Sequence, residues 1–171
     1  LRLQTPKTIL DLGCGTGAAG AAWALTTTSS PRMIGIDRHP WSISETRWTY
    51  KQLNLKSVLR TTDLVRLHQP KKPFGIVASY VLNELDKNRR TSVIQTLFNW
   101  ASDGVPLLII EPISKTVNPW WDDVAQIAVK LGGRYDQWRW SVDLPPLLKK
   151  LAHSAGLNHQ KVTARSILIN R

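Results

Sequence analysis

The chain has 171 residues and is 42% apolar, which favours one folded domain with its own core and excludes a disordered tract. Lys and Arg number 23 against 12 acids, a net charge of +11, and such an excess favours a polyanionic partner, nucleic acid before an anionic membrane surface. A lone Cys14 excludes an internal disulfide and a cysteine-only metal cage, and no apolar run approaches the roughly 18 residues of a membrane-spanning helix.

The opening LRLQTPK has no apolar stretch behind its charges, so no secretory signal is expected. Without an initiator Met, the chain is open to further N-terminal elements. The expected setting is reducing and cytoplasmic, with no membrane segment and no metal site. KTILDL (7–12) is a short apolar run that ends at glycines and predicts a buried strand. AAGAAWAL (18–25) predicts a helix from its alanines. RMIGID (32–37) predicts a second strand, and Pro40 opens a helix over 41–54. SVLRTTDL (57–64) and FGIVASYVL (74–82) predict the third and fourth strands.

Asp86 is the expected N-cap of a helix through Ala101, with Val93, Ile94, Leu97 and Phe98 on its buried face. VPLLIIEP (105–112) predicts a fifth strand. Asn118-Pro119 opens another helix, with Asp122 and Asp123 at its dipole-favoured start and Gly132-Gly133 as its stop. A further helix is expected over about 145–155. HQKVTA (159–164) and SILIN (166–170) predict two short closing strands, too close together for a parallel crossover and so paired antiparallel. The alternation gives a doubly wound, Rossmann-like α/β sheet, mostly parallel with an antiparallel final strand.

The segment ILDLGCGTGAAG (9–20) carries the chemistry. Gly15-x-Gly17-x-x-Gly20 fits a dinucleotide fingerprint, and Asp11-x-Gly13-x-Gly15-x-Gly17 fits an S-adenosylmethionine loop. Asp37 ends the second strand, where an acid accepts ribose hydroxyls of either cofactor. Three features favour S-adenosylmethionine. Asp11 puts a carboxylate at the strand end, which suits a ligand carrying an ammonium and a sulfonium rather than a pyrophosphate. The ligand's own carboxylate still finds amides at the helix start. Asp63 follows the third strand, where an adenine amino group is met.

DLGCGTG, IGIDRHP and TTDL together resemble the class I S-adenosylmethionine-dependent methyltransferases. The resemblance implies a seven-stranded sheet and a cofactor held at Gly13, Gly15 and Gly17, with its ribose at Asp37 and its adenine near Asp63. Cys14, Arg38, Leu64 and Ser79 complete the expected set together with Asp11. With ASYVLNEL and LLIIEP added, the chain is similar to the small-ribosomal-subunit methyltransferase-like family. That likeness implies ribosomal RNA, or assembly of the small subunit, as its business. The cysteine clusters of mitochondrial members have no counterpart here, so no iron–sulfur site is carried over. On this reading 1–171 is a single domain, with 113–143 as an insertion on the acceptor side.

The fourth strand lacks the Asn/Asp-Pro-Pro-aromatic pattern of enzymes that methylate exocyclic base amines, and no second Cys serves as a nucleophile. Tyr80, Asn83 and Glu84 are the candidate catalytic residues, with Glu111 behind them, placed to orient an acceptor or take its proton. Asn83 and Glu84 serve equally well as caps of the next helix, and Tyr80 as packing. Eight tryptophans stand out. Trp23, Trp48 and Trp100 are expected in the core, while Trp120, Trp121, Trp138 and Trp140 suit either packing or base stacking. Lys71-Lys72 and Arg89-Arg90 are basic pairs suited to solvent or to a phosphate backbone. The function expected is methyl transfer to RNA. A small-molecule acceptor and a non-catalytic assembly factor are the alternatives.

Overall fold

The computed structural model describes residues 6–70, 74–114, 118–156 and 161–170. In chain order the elements are β1 (Thr8–Leu12), α1 (Ala18–Leu25), β2 (Arg32–Asp37), α2 (Pro40–Gln52), β3 (Ser57–Thr61), β4 (Phe74–Ser79), α3 (Lys87–Ser102), β5 (Leu107–Glu111), α4 (Trp121–Lys130), β6 (Arg134–Ser141), α5 (Pro146–Ser154) and β7 (Lys161–Ile169). The strands form one seven-stranded sheet in the order β3-β2-β1-β4-β5-β7-β6. Strands β1 to β5 pair in parallel, and β7 runs antiparallel to both of its neighbours, β5 and β6.

Strand alternation divides the core into two layers. Leu10, Leu12, Ile76 and Ile109 face α3 and α4, where Val93, Leu97, Trp121 and Val124 meet them. Ile9, Met33 and Val77 face the other way and pack with Ala21, Trp23 and Tyr50 of α1 and α2. Strand order reverses around β1 and β4, so their carboxyl ends open the crevice in which such sheets place ligands.

Four expectations are corrected. The third strand stops at Thr61 because the Asp63 carboxylate caps a single 3-10 turn over Leu64–Arg66. The fourth stops at Ser79, where Tyr80 turns into the left-handed region and a second 3-10 turn forms over Leu82–Glu84. The two closing strands are one: β7 runs unbroken through Arg165, and its hairpin-like partner is β6. The stretch YDQWRW (135–140), which holds Trp138 and Trp140, lies on the edge strand β6, and 113–143 includes α4 and β6. Residues 159 and 160 of HQKVTA, like Lys71-Lys72, lie outside the described residues. Trp48, expected in the core, is 63% exposed. Helix α2 buries Ile43, Thr46 and Tyr50, a stripe that leaves position 48 on the solvent side.

Among the described residues no helix is long and apolar enough to cross a membrane. No group of three or more His, Cys, Asp or Glu among them is arranged around a metal site.

Candidate active site

At the carboxyl end of the parallel strands a cavity of about 490 Å³ opens. That volume lies within the range of about 300–1,000 Å³ typical of small-ligand pockets. Its floor is the loop between β1 and α1. Gly13, Gly15 and Gly17 all have positive φ there, and the Gly17 N–H donates to the Cys14 carbonyl at 2.6 Å. At Gly13 a Cβ would lie within 2.6 Å of Val81 Cβ, so only glycine lets the segment after β4 close against the loop. At Gly15 a Cβ would meet nothing nearer than 4.0 Å, because this residue faces the open cavity.

Asp37, at the end of β2, lies on the cavity wall. Its carboxylate accepts the Gly15 N–H at 3.0 Å and the His39 N–H at 2.8 Å, one on each oxygen. Each oxygen keeps a further lone pair for a ligand hydroxyl. The next wall is built by Arg38, His39 and Trp41, where the chain turns into α2, and by Asp63 and Leu64 beyond β3. Asp63 accepts the Val65 N–H at 3.1 Å and pairs with Arg89 from the first turn of α3. The Val65 N–H and the neighbouring guanidinium hold the Asp63 carboxyl below its ordinary range.

Ser79, Tyr80 and Glu84 form the remaining wall. Tyr80 has φ +55, an outlier for a bulky side chain. Its hydroxyl donates to the Thr163 carbonyl at 3.1 Å and ties the wall to β7, and its ring is 43% exposed. Burial, aided by the charge of Glu111, pushes the Tyr80 hydroxyl up. Glu84 is exposed in the cavity.

Asp11, Cys14, Gly17 and Asn83 lie outside the cavity lining. Asp11 shares the strand face of Ile9, so its carboxylate points under α1 and α2. It is 1% exposed and accepts from the Tyr50 hydroxyl at 2.6 Å and the Gly20 N–H at 3.2 Å. Burial pushes the Asp11 carboxyl up to about 7, against the two hydrogen bonds. A Cβ on Gly20 would come within 2.6 Å of the Tyr50 hydroxyl and nearer still to Asp11. Cys14 is buried against Thr46, whose hydroxyl donates to the Gly15 carbonyl at 2.8 Å, and burial pushes the thiol up to about 12.

Glu111 is the buried support of the cavity wall after β4. It is wholly inaccessible, and its Oε1 accepts the Leu82 N–H at 2.9 Å and the Asn83 N–H at 3.4 Å. Burial pushes this carboxyl up to about 7. It holds the turn that presents Tyr80, Val81 and Glu84 to the cavity. Beside it in register, Arg165 is buried over the Trp121 ring, 4.5 Å from its centroid, and donates to the Asn118 carbonyl at 3.0 Å.

Sequence reasoning missed His39, Trp41 and Ser42, although a helix start two residues past Asp37 is a visible signal. It also read Arg89-Arg90 only as a basic pair. Arg89 is held by Asp63, and Arg90 lies 5.1 Å over the Trp120 ring and donates to the Leu85 carbonyl.

Residues 9–104, more than half the chain, match the family profile described as "Methyltransferase domain". No curated protein is similar enough in sequence to match. Among solved structures, TehB from Haemophilus influenzae is similar over 98% of this chain and 58% of its own, at 16% identity and a TM-score of 0.61. The N-methyltransferase NodS from Bradyrhizobium japonicum WM9, in complex with S-adenosyl-L-homocysteine, is similar over 98% of this chain and 80% of its own, at 17% identity and a TM-score of 0.59. A candidate RNA methyltransferase from Pyrococcus horikoshii is similar over 99% of this chain and 76% of its own, at 11% identity and a TM-score of 0.63. The chain thus spans well under two thirds of TehB but about four fifths of NodS.

Proposed function

We propose that this chain, which belongs to the methyltransferase-domain family and takes S-adenosylmethionine as its cofactor, transfers the methyl group to RNA, with ribosomal RNA of the small subunit as the first target. The cavity suits the cofactor on its own terms. Gly15 leaves it open, and both Asp37 oxygens are oriented by backbone N–H groups with lone pairs to spare. Asp37 would hold the ribose hydroxyls, and the wall at Asp63 and Leu64 the adenine. When bound, the cofactor supplies a methyl group on a sulfonium for in-line displacement.

The residues of the chain then have positioning to do. Glu111 fixes the turn after β4, so the Tyr80 and Glu84 wall is set before an acceptor arrives. Glu84 is the exposed carboxylate in reach of the cavity and is the group suited to take a proton from the acceptor. The Tyr80 hydroxyl donates to Thr163, so what remains to it toward a ligand is lone-pair acceptance and a ring face.

The observation that carries an RNA acceptor is the cavity rim on a chain of net charge +11. Exposed aromatics Trp41 and Tyr80 stand there beside Arg38 and Arg89, a pairing that suits a splayed base and its phosphates. Incubation with methyl-labelled cofactor and protein-free small-subunit RNA is expected to put label into RNA, and a Glu84→Gln variant to slow it. Label appearing only in small amines would favour the second reading, for which the exposed Glu84 carboxylate speaks. Cofactor binding without label in either would leave the assembly-factor reading.

A further inference from the structure

We infer that Trp140, stacked on Trp138 at the sheet edge, is a docking platform for an unpaired RNA base outside the cofactor cavity. The inference rests on the RNA reading above and names a second contact for the same partner. Strand β5 ends at Glu111, opposite Arg165. Beyond that point β6 and β7 continue as a two-stranded ribbon, Trp138 to Ser141 against Lys161 to Ala164. Four residues of strand extend about 13 Å. The Tyr80–Thr163 hydrogen bond joins this ribbon to the cavity wall, so an acceptor chain entering the cavity passes beside it.

The ribbon holds its aromatics in a defined pose. Trp138 is fixed by its indole N–H, which donates to the Ser166 hydroxyl at 2.8 Å. Trp140 lies parallel to it, with ring centroids 5.3 Å apart and an interplanar angle of 7°. One face of Trp140 is thereby used, yet the residue remains 50% exposed, and Val162 opposite it in register is exposed too. A pre-stacked, half-open indole accepts a further flat ring with little ordering cost. On the other face of the ribbon, Arg139 and Lys161 are exposed and have no ion-pair partner among the described residues. A half-open indole on one face of a two-stranded ribbon at the free sheet edge, with two unpaired cations on the reverse face of a strongly basic chain, suits a base whose sugar–phosphate backbone continues round that edge. An aliphatic protein partner has no use for the cations.

The test is equilibrium binding of a labelled single-stranded RNA 12-mer to the chain, followed by fluorescence anisotropy across a salt series. Trp140→Ala is expected to weaken binding by about five- to a hundredfold and to leave the salt slope unchanged, since stacking releases no counterions. Trp140→Phe is expected to restore most of the affinity. Arg139→Gln and Lys161→Gln are each expected to flatten the slope by about 0.7. RNA binding by the wild type that Trp140→Ala leaves within twofold would overturn the platform and leave the RNA reading standing. No RNA binding at low salt would overturn both. A wild-type dimer that Trp140→Ala dissociates would make the ribbon a self-interface and overturn the platform.

Discussion

Asp11 and Gly20 show how a residue reads differently once its neighbours are known. In the sequence, Asp11 is an acid at a strand end, and an acid there suits a cationic ligand. In the fold its strand parity turns it under α1, where Tyr50 and the Gly20 N–H satisfy it. Gly20→Ala is expected to destabilise by roughly 1–3 kcal/mol through overpacking, read as a lower melting temperature. Asp11 and Glu111 are both pushed up to about 7 by burial. Each therefore binds its proton more tightly folded than unfolded. Their contribution to stability is full below pH 4 or so and is lost as pH rises through about 7. Denaturant titrations are expected to show this contribution falling between about pH 4 and pH 7 by on the order of a few kcal/mol. Asp11→Asn, which keeps an acceptor for the Gly20 N–H, is expected to remove its share of that fall; an unchanged pH profile would mean that Asp11 does not titrate in this window. Asp37 is the opposite case, legible from its place in the sequence and exposed to the cavity. Asp37→Ala is expected to weaken cofactor binding about ten- to a hundredfold by calorimetry, the worth of a hydrogen-bonded charge.

Elements whose pattern is local were readable. Helix α3 shows its cap and its stripe in the sequence, and Asp86 does accept the Asn88 and Arg89 N–H groups, both at 3.0 Å. Asp86→Ala is expected to cost about 0.5–2 kcal/mol, seen as a shift of the urea midpoint with an unchanged slope. What stayed illegible depends on distant partners. Nothing within 74–82 says that Glu111, about thirty residues on, will take two N–H groups and end β4 at Ser79. Strand β6 is hidden because YDQWRW breaks its aromatics with Asp136, Gln137 and Arg139, and a mostly exposed edge strand carries no apolar run. The break expected inside β7 is at Arg165, which is buried and donates to the Ser114 and Asn118 carbonyls rather than marking a turn. The cavity followed the same division. Its glycine floor and Asp37 come from one stretch of chain, whereas the Arg89–Asp63 pair joins elements that meet only through the sheet.

For the molecule as a whole, the excess of 11 positive charges acts in two opposed ways. In the free chain like charges repel, so added salt screens them and stabilises the fold. In a complex with RNA the same cations displace counterions, so added salt weakens binding. Contact with about five phosphates of a single strand gives a slope near −3.5 in log affinity against log salt, about a hundredfold loss between roughly 50 and 200 mM. The melting temperature of the free chain is expected to rise over that same interval. The opposite signs make the measurement decisive, since affinity lost while the fold gains stability cannot come from unfolding. An affinity that holds level across the series would show that the positive charge has another purpose than the phosphate backbone.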